Sequence, residues 1–163
     1  MRVINVVDED FINYYKPSMF IGTISCSGKC CLEAGIPLSV CQNDGWREIV
    51  PIELDDDVLC QRYLENSLTS AIVFGGLEPF EQWQEIAVFI NKLRFGYECA
   101  DDIVIYTGYY PDEAEVKTAL DFLNTYPNII VKFGRYIPNS SDRFDDVLGV
   151  KLSSINQYAE RIS

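Results

Sequence analysis

Six cysteines stand at positions 26, 30, 31, 41, 60 and 99 of a 163-residue chain that contains no histidine. Four of them, Cys26, Cys30, Cys31 and Cys41, fall within sixteen consecutive residues. Thiols crowded into one loop point to a metal site, because a scattered framework is what disulfide staples need. The lack of histidine removes the commonest general base, the Ser/His/Asp and Cys/His nucleophile systems, and every zinc site that needs imidazole. Chemistry here falls to thiolates, carboxylates or a bound cofactor.

Within the cluster, Cys26-Ser27-Gly28-Lys29-Cys30 sets two thiols four positions apart across a glycine. The glycine frees the backbone to turn both sulfurs toward one iron-sulfur cluster. Cys30 and Cys31 are adjacent, and neighbouring side chains on extended backbone diverge, so the two are expected to face different ways. A zinc site built from Cys26, Cys30, Cys31 and Cys41, or simple burial of the thiols, explains the same spacing equally well.

The elements that must position these residues follow from hydrophobic period. Ser18–Thr23 reads as a strand feeding the cysteine loop. Residues 55–66 carry a helical pattern, and the continuous apolar run 71–74 follows, ending in two glycines. The order repeats with a helix over 80–94 and a strand over 103–106, then a helix over 112–124 and a strand over 129–131. Apolar strands separated by helices predict an α/β fold with a parallel sheet, whose function gathers at the carboxyl ends of the strands. Those ends carry the cysteine loop, Gly75-Gly76-Leu77-Glu78-Pro79, Thr107-Gly108-Tyr109 and Lys132-Phe133-Gly134-Arg135. All four are predicted to converge on one rim. Lys132 and Arg135 read as solvated charges of small functional weight.

Composition sets outer limits. A hydrophobic content of 48% over this length is that of one domain with a single sizeable core. The formal charge of -12 argues against general nucleic-acid binding and fits solubility or a basic protein partner. Residues 1–10 meet carboxylates before any signal-like apolar run, and no segment approaches the roughly 18 apolar residues of a membrane helix. A cytoplasmic protein is expected, with neither membrane nor nucleic acid among its partners.

The strand-end segments, taken in order, resemble one family. Gly75-Gly76-Leu77-Glu78-Pro79 resembles the Gly-Gly-Glu-Pro segment of radical S-adenosylmethionine enzymes, with Leu77 inserted. Ile105-Tyr106-Thr107-Gly108-Tyr109 is similar to a strand end of the anaerobic ribonucleotide reductase activating proteins. Val131-Lys132-Phe133-Gly134-Arg135 resembles their next strand end, with Lys132 where aspartate is usual. Gly149 to Gln157 resembles their Gly-Ser-Ser-Asn-Gln close with three residues inserted, although Asn156 and Gln157 can equally cap a last helix. The superfamily writes its cysteines C-x3-C-x2-C. Here Glu33 stands at the expected third position, and Cys41-Gln42-Asn43 reproduces the family ending after an eight-residue insertion.

The resemblance spans about residues 11 to 160. It implies a single-domain partial (β/α) barrel with a curved, mostly parallel sheet, since the chain is shorter than the roughly 250 residues of a full barrel. It implies that Cys26, Cys30 and Cys41 hold a 4Fe-4S cluster with one iron open, Cys31 being the second choice for third ligand. Gly75, Gly76, Glu78, Thr107, Gly108 and Asn156 would meet S-adenosylmethionine. The implied activity is reductive cleavage of that cofactor to a 5'-deoxyadenosyl radical, to activate a glycyl-radical enzyme. An electron donor such as flavodoxin or ferredoxin is implied as second partner. A radical enzyme acting on a peptide or small molecule, a non-catalytic iron-sulfur or zinc module, and an acidic interaction protein remain alternatives.

Overall fold

Ala71-Ile72-Val73-Phe74 and Ile103-Val104-Ile105 are strands because β-branched and aromatic side chains suit a pleated surface, and they are apolar throughout because both faces of the sheet are covered. The computed structural model describes residues 1–163, apart from the side chain of Glu115. In chain order, β1 (Arg2–Val3), β2 (Val6–Asp10) and β3 (Ser18–Thr23) precede a short helix, α1 (Lys29–Ala34). Two 3-10 turns, Leu38–Val40 and Asp44–Glu48, lead to β4 (Ile52–Glu53) and α2 (Asp56–Glu65). Then come β5 (Ala71–Gly76), α3 (Trp83–Asn91), β6 (Asp102–Tyr106), α4 (Ala114–Leu123) and β7 (Ile129–Phe133). Strands β8 (Arg143–Asp145), β9 (Val150–Leu152) and β10 (Tyr158–Arg161) complete the order.

Six strands form the main sheet in the order β10-β7-β6-β5-β3-β2. The four inner strands are parallel and lie side by side in chain order, while β2 and β10 pair antiparallel at the edges. The fold is thus an α/β protein with a mixed, mostly parallel sheet that does not close into a barrel. Helices α2, α3 and α4 all pack on one face, where Leu59, Tyr63, Phe89, Ile90, Leu93 and Val116 meet Ile21, Phe74, Ile105 and Val131. The opposite face is covered without helices, by Tyr14 of the β2–β3 loop and by Leu148 and Leu152 of the β8–β9 hairpin. Because β3, β5, β6 and β7 run parallel, their carboxyl ends share one rim, and every helical crossover between them lies on the same face.

Helix starts are locally encoded. Asp55 caps α2 by accepting from the Asp57 amide at 2.7 Å, and Asp56 and Asp57 place negative charge at the positive end of the helix dipole. The helix expected over 80–94 begins as a 3-10 turn at Pro79 and ends as a π turn, Lys92–Gly96. There the Arg94 guanidinium donates to the carbonyls of Cys99, Asp101 and Pro127 and ties the turn to the start of β6 and β7. No last helix exists for Asn156 and Gln157 to cap: residues 153–157 turn between β9 and β10. Among the described residues no helix is long and apolar enough to cross a membrane.

At the amino end of β6, the buried Asp102 carboxylate accepts from Tyr14, Lys16 and Arg161, joining the loop before β3 and the edge strand β10 to the sheet centre. Burial alone would raise its pKa, but the bonds from Arg161, Lys16 and Tyr14 outweigh it and hold the group below the usual carboxylate range. A depressed folded pKa gives stability that is present above the unfolded value and lost as pH falls through the folded one. Asp102→Ala should therefore cost about 2–4 kcal/mol near neutral pH, read from the urea midpoint, with the deficit fading in acid.

Candidate functional site

The site begins where β3 ends. Thr23 closes the strand by donating its hydroxyl to the Gly75 carbonyl at 2.9 Å, and the chain then swings across the rim. Gly28 takes a left-handed φ of 77° and opens α1, which carries Cys30 and Cys31 on successive helical positions. The two thiols diverge, as expected, although the local backbone is helical and not extended. Cys30 turns toward Cys26, Glu78 and Arg135, and its sulfur lies 2.6 Å from where a Cβ on Gly108 would stand. Cys31 turns the other way, toward Cys41, Asp44 and Arg47.

The four clustered thiols thus form two pairs. Cys26 and Cys30 line one cavity with Glu78, Glu81, Gly108 and Arg135, while Cys31 lies outside that cavity, near Cys41, and the Arg47 charge is felt by both Cys26 and Cys31. Among the described residues no three Cys, Asp or Glu side chains are gathered as a metal would hold them. Cys60 is buried in α2 and Cys99 lies before β6, both away from the rim.

Glu78 is the hub of the rim. Its carboxylate accepts from the Thr107 hydroxyl at 2.7 Å, the Gly108 amide at 2.8 Å and the Phe80 amide at 3.1 Å, and its own amide donates to Ser25 at 2.6 Å. The inserted Leu77 is buried, and Glu78 follows it into the protein. Burial pushes the Glu78 carboxyl up to about 7 in spite of those three donors. Thr107, Gly108 and Glu78 are therefore brought together as one unit. Gly75 and Gly76 lie beside it at the end of β5, but they face Phe20 and Trp46. Asn156 sits further along the rim, donating to Tyr110 and to the Arg135 carbonyl.

Comparison with protein-family models, with curated proteins and with solved structures finds no match for this chain.

The strand-end cations are not solvated, which corrects the expectation from sequence. Arg135 is buried and makes a forked ion pair with Glu113, at 2.6 and 2.8 Å, and a further pair with Glu33. Glu113, which also receives Lys29, is held down to about 2, chiefly by Arg135. Glu33, at the expected third cysteine position, is thus part of an ion network that clamps α1 to the end of β7. Lys132 is buried too, donating to the Gly134 carbonyl at 2.8 Å, and loss of hydration pulls its ammonium down to about 8. An aspartate there would place a second carboxylate near Glu78.

Several residues that shape the site carry no pattern that sequence reading singled out. Glu81 accepts from the Ser27 amide at 2.6 Å, the Ser25 hydroxyl at 3.0 Å and the Tyr109 hydroxyl at 3.1 Å, pinning the cysteine loop to the 3-10 turn that leads into α3. Arg47 donates to the Cys26 carbonyl and pairs with Asp44. Its position near the four thiols was the one available signal.

Two titrations test this geometry. An acid whose folded pKa is raised loses stability as pH rises, because the unfolded chain ionises first. Wild type should lose stability relative to Glu78→Gln between about pH 4.5 and about pH 7, by at most about 1.4 kcal/mol per pH unit in urea titrations. Cys30 is pushed up to about 11 by burial first and then by the charges of Glu78 and Cys26. In the metal-free protein its iodoacetamide alkylation, followed by peptide mass spectrometry, should rise about tenfold per pH unit from near neutrality to about pH 10.

Proposed function

We propose that the chain is a radical S-adenosylmethionine enzyme of the partial (β/α) barrel type that activates a glycyl-radical partner such as an anaerobic ribonucleotide reductase. One observation carries the reading. The cysteine loop leaves the first of four consecutive parallel strands, and its Cys30 meets Glu78 and Gly108 from the next two strand ends. Chance motif matches have no reason to fall at successive strand ends of a singly wound sheet.

The donor set suits a thiolate-held cluster in kind. Cys26 and Cys30 share a cavity, and the bare Gly108 leaves the Cys30 sulfur room. The third ligand would come from the Cys31–Cys41 pair on the same loop, Cys41 being our assignment. When bound, a reduced cluster with one open iron supplies the electron that cleaves S-adenosylmethionine to methionine and a 5'-deoxyadenosyl radical. An electron donor such as flavodoxin or ferredoxin is needed as a second partner.

The chain's own groups orient and shield. Glu78, fixed by Thr107 and Gly108, keeps the ends of β5 and β6 in register beside the thiols. Gly75 and Gly76 let backbone come close to a ligand. Lys29 and Arg135 lie over the Tyr109 ring, and Arg135 also over that of Tyr110, walling the cavity against water. Asn156 holds the Arg135 segment in place through its carbonyl.

A closed four-thiolate zinc module is the second reading, favoured by the nearness of Cys41 to Cys31, whose thiol is pushed up by burial and then by Cys41. Anaerobic reconstitution separates the two. The radical enzyme should bind about four irons per chain, lose them in Cys26→Ala and Cys30→Ala, and on reduction release 5'-deoxyadenosine. With its glycyl-radical partner it should generate a glycyl signal in electron paramagnetic resonance. Stoichiometric zinc with no cluster and no cofactor cleavage would establish the module instead.

A further inference from the structure

Gly76, the last residue of β5, is already covered by the chain itself, together with Gly22 of β3. Trp46 lies across this pair: its ring carbons stand 2.4 and 2.7 Å from where a Cβ on Gly76 would be, and 3.1 Å from where one on Gly22 would be. Gly76 holds φ at 90°, so its backbone is shaped for this approach. Three residues earlier, the Asn43 amide donates to the Gly76 carbonyl at 2.6 Å. A flat aromatic ring and an N–H donor thus sit together on a bare glycine backbone. A nucleoside carrying an amino group would offer the same two features.

Other observations bear on whether this cover is permanent. Neither 3-10 turn between Leu38 and Glu48 contains a buried residue, and Leu38, Val40, Ile49 and Val50 leave apolar side chains in solvent. What holds residues 43–47 is local: the Asn43 bond, the Trp46 ring against Phe20 and the glycines, and the Arg47 bond to the Cys26 carbonyl, so the segment can open by giving up these contacts without disturbing the core. Next to Trp46, the side-chain oxygen Oδ1 of Asn5 is buried without a hydrogen-bond partner. The neighbouring cavity between Cys26, Cys30, Glu78 and Arg135 is about 10 Å³, space for a single water. As it stands, the rim has no room for a nucleoside.

We infer that residues 43–47 form a strap that fills the glycine cradle in the ligand-free protein, and that an amino-acid-bearing nucleoside must displace Trp46 and Asn43 to bind. This rests on the radical reading above, under which that ligand is S-adenosylmethionine. The strap then sets affinity, because a ligand that selects the open state binds more weakly by the fraction of time the cradle is open.

The test uses reconstituted, unreduced protein, so that no cofactor is consumed. Equilibrium dialysis with labelled S-adenosylmethionine should show about three- to tenfold tighter binding for Trp46→Ala than for wild type. Asn43→Ala, a milder change, should shift affinity the same way. With 5-fluorotryptophan incorporated, the fluorine resonance of Trp46, assigned by its loss in Trp46→Phe, should move when the ligand is added. Binding that is unchanged or weaker in both variants, or a resonance that moves on cluster loading and no further with ligand, overturns the strap and leaves the radical reading standing. No binding to wild type or either variant overturns both.

Discussion

A carboxyl group with no cation bonded to it is buried at the meeting point of the rim, and the protein tolerates it because three donors are aimed at it. Glu78 receives the Phe80 amide from its own turn and the Thr107 hydroxyl and Gly108 amide from the end of β6. Left without those partners, such a group would cost several kcal/mol. The loops after β5 and β6 are therefore not free to move independently, and the cysteine loop, whose Ser25 carbonyl accepts from the Glu78 amide, is tied into the same knot.

The cysteine loop is long, and three devices hold it. Glu81 takes up its Ser25 and Ser27 donors, Arg47 spans back to the Cys26 carbonyl, and Glu113 gathers Lys29 and Arg135. These contacts are polar and mostly at the margin of solvent, unlike the apolar packing under α2, α3 and α4. The scaffold is rigid where the sheet is buried on both faces, and its thiol-bearing loop is positioned by charge and hydrogen bonds. Such a loop can rearrange without disturbing the core.

Much of this was legible in advance. Continuous apolar runs such as Ala71 to Phe74 and Ile103 to Ile105 announce strands buried on both faces, and 3.6-residue periodicity announces α2, α3 and α4. The edge strands were missed because Val6-Val7-Asp8-Glu9-Asp10 and Tyr158-Ala159-Glu160-Arg161 are polar and short, and they gain their pairing only from a neighbour already in place. Arg135 read as solvated because its partners Glu113 and Glu33 lie 22 and 102 positions away, which no local pattern reveals. Residues 35–50 resisted reading for a related reason: 3-10 turns carry no amphipathic period, so neither the pairing of Cys41 with Cys31 nor the seat of Trp46 was visible.

The consecutive order of β3, β5, β6 and β7 has a consequence for synthesis of the chain. Each parallel strand docks against the one made just before it, so a growing polypeptide can extend the sheet one unit at a time as it leaves the ribosome. The exception is the face opposite the helices, which has only the early Tyr14 over it until Leu148 and Leu152 of the β8–β9 hairpin arrive. At the roughly 5–20 residues per second of translation, Val73 waits for that cover for roughly 4–15 s and Ile130 for roughly 1–4 s. During that interval the nascent protein presents an apolar sheet face, and a chaperone that recognises such surfaces has its natural moment of engagement.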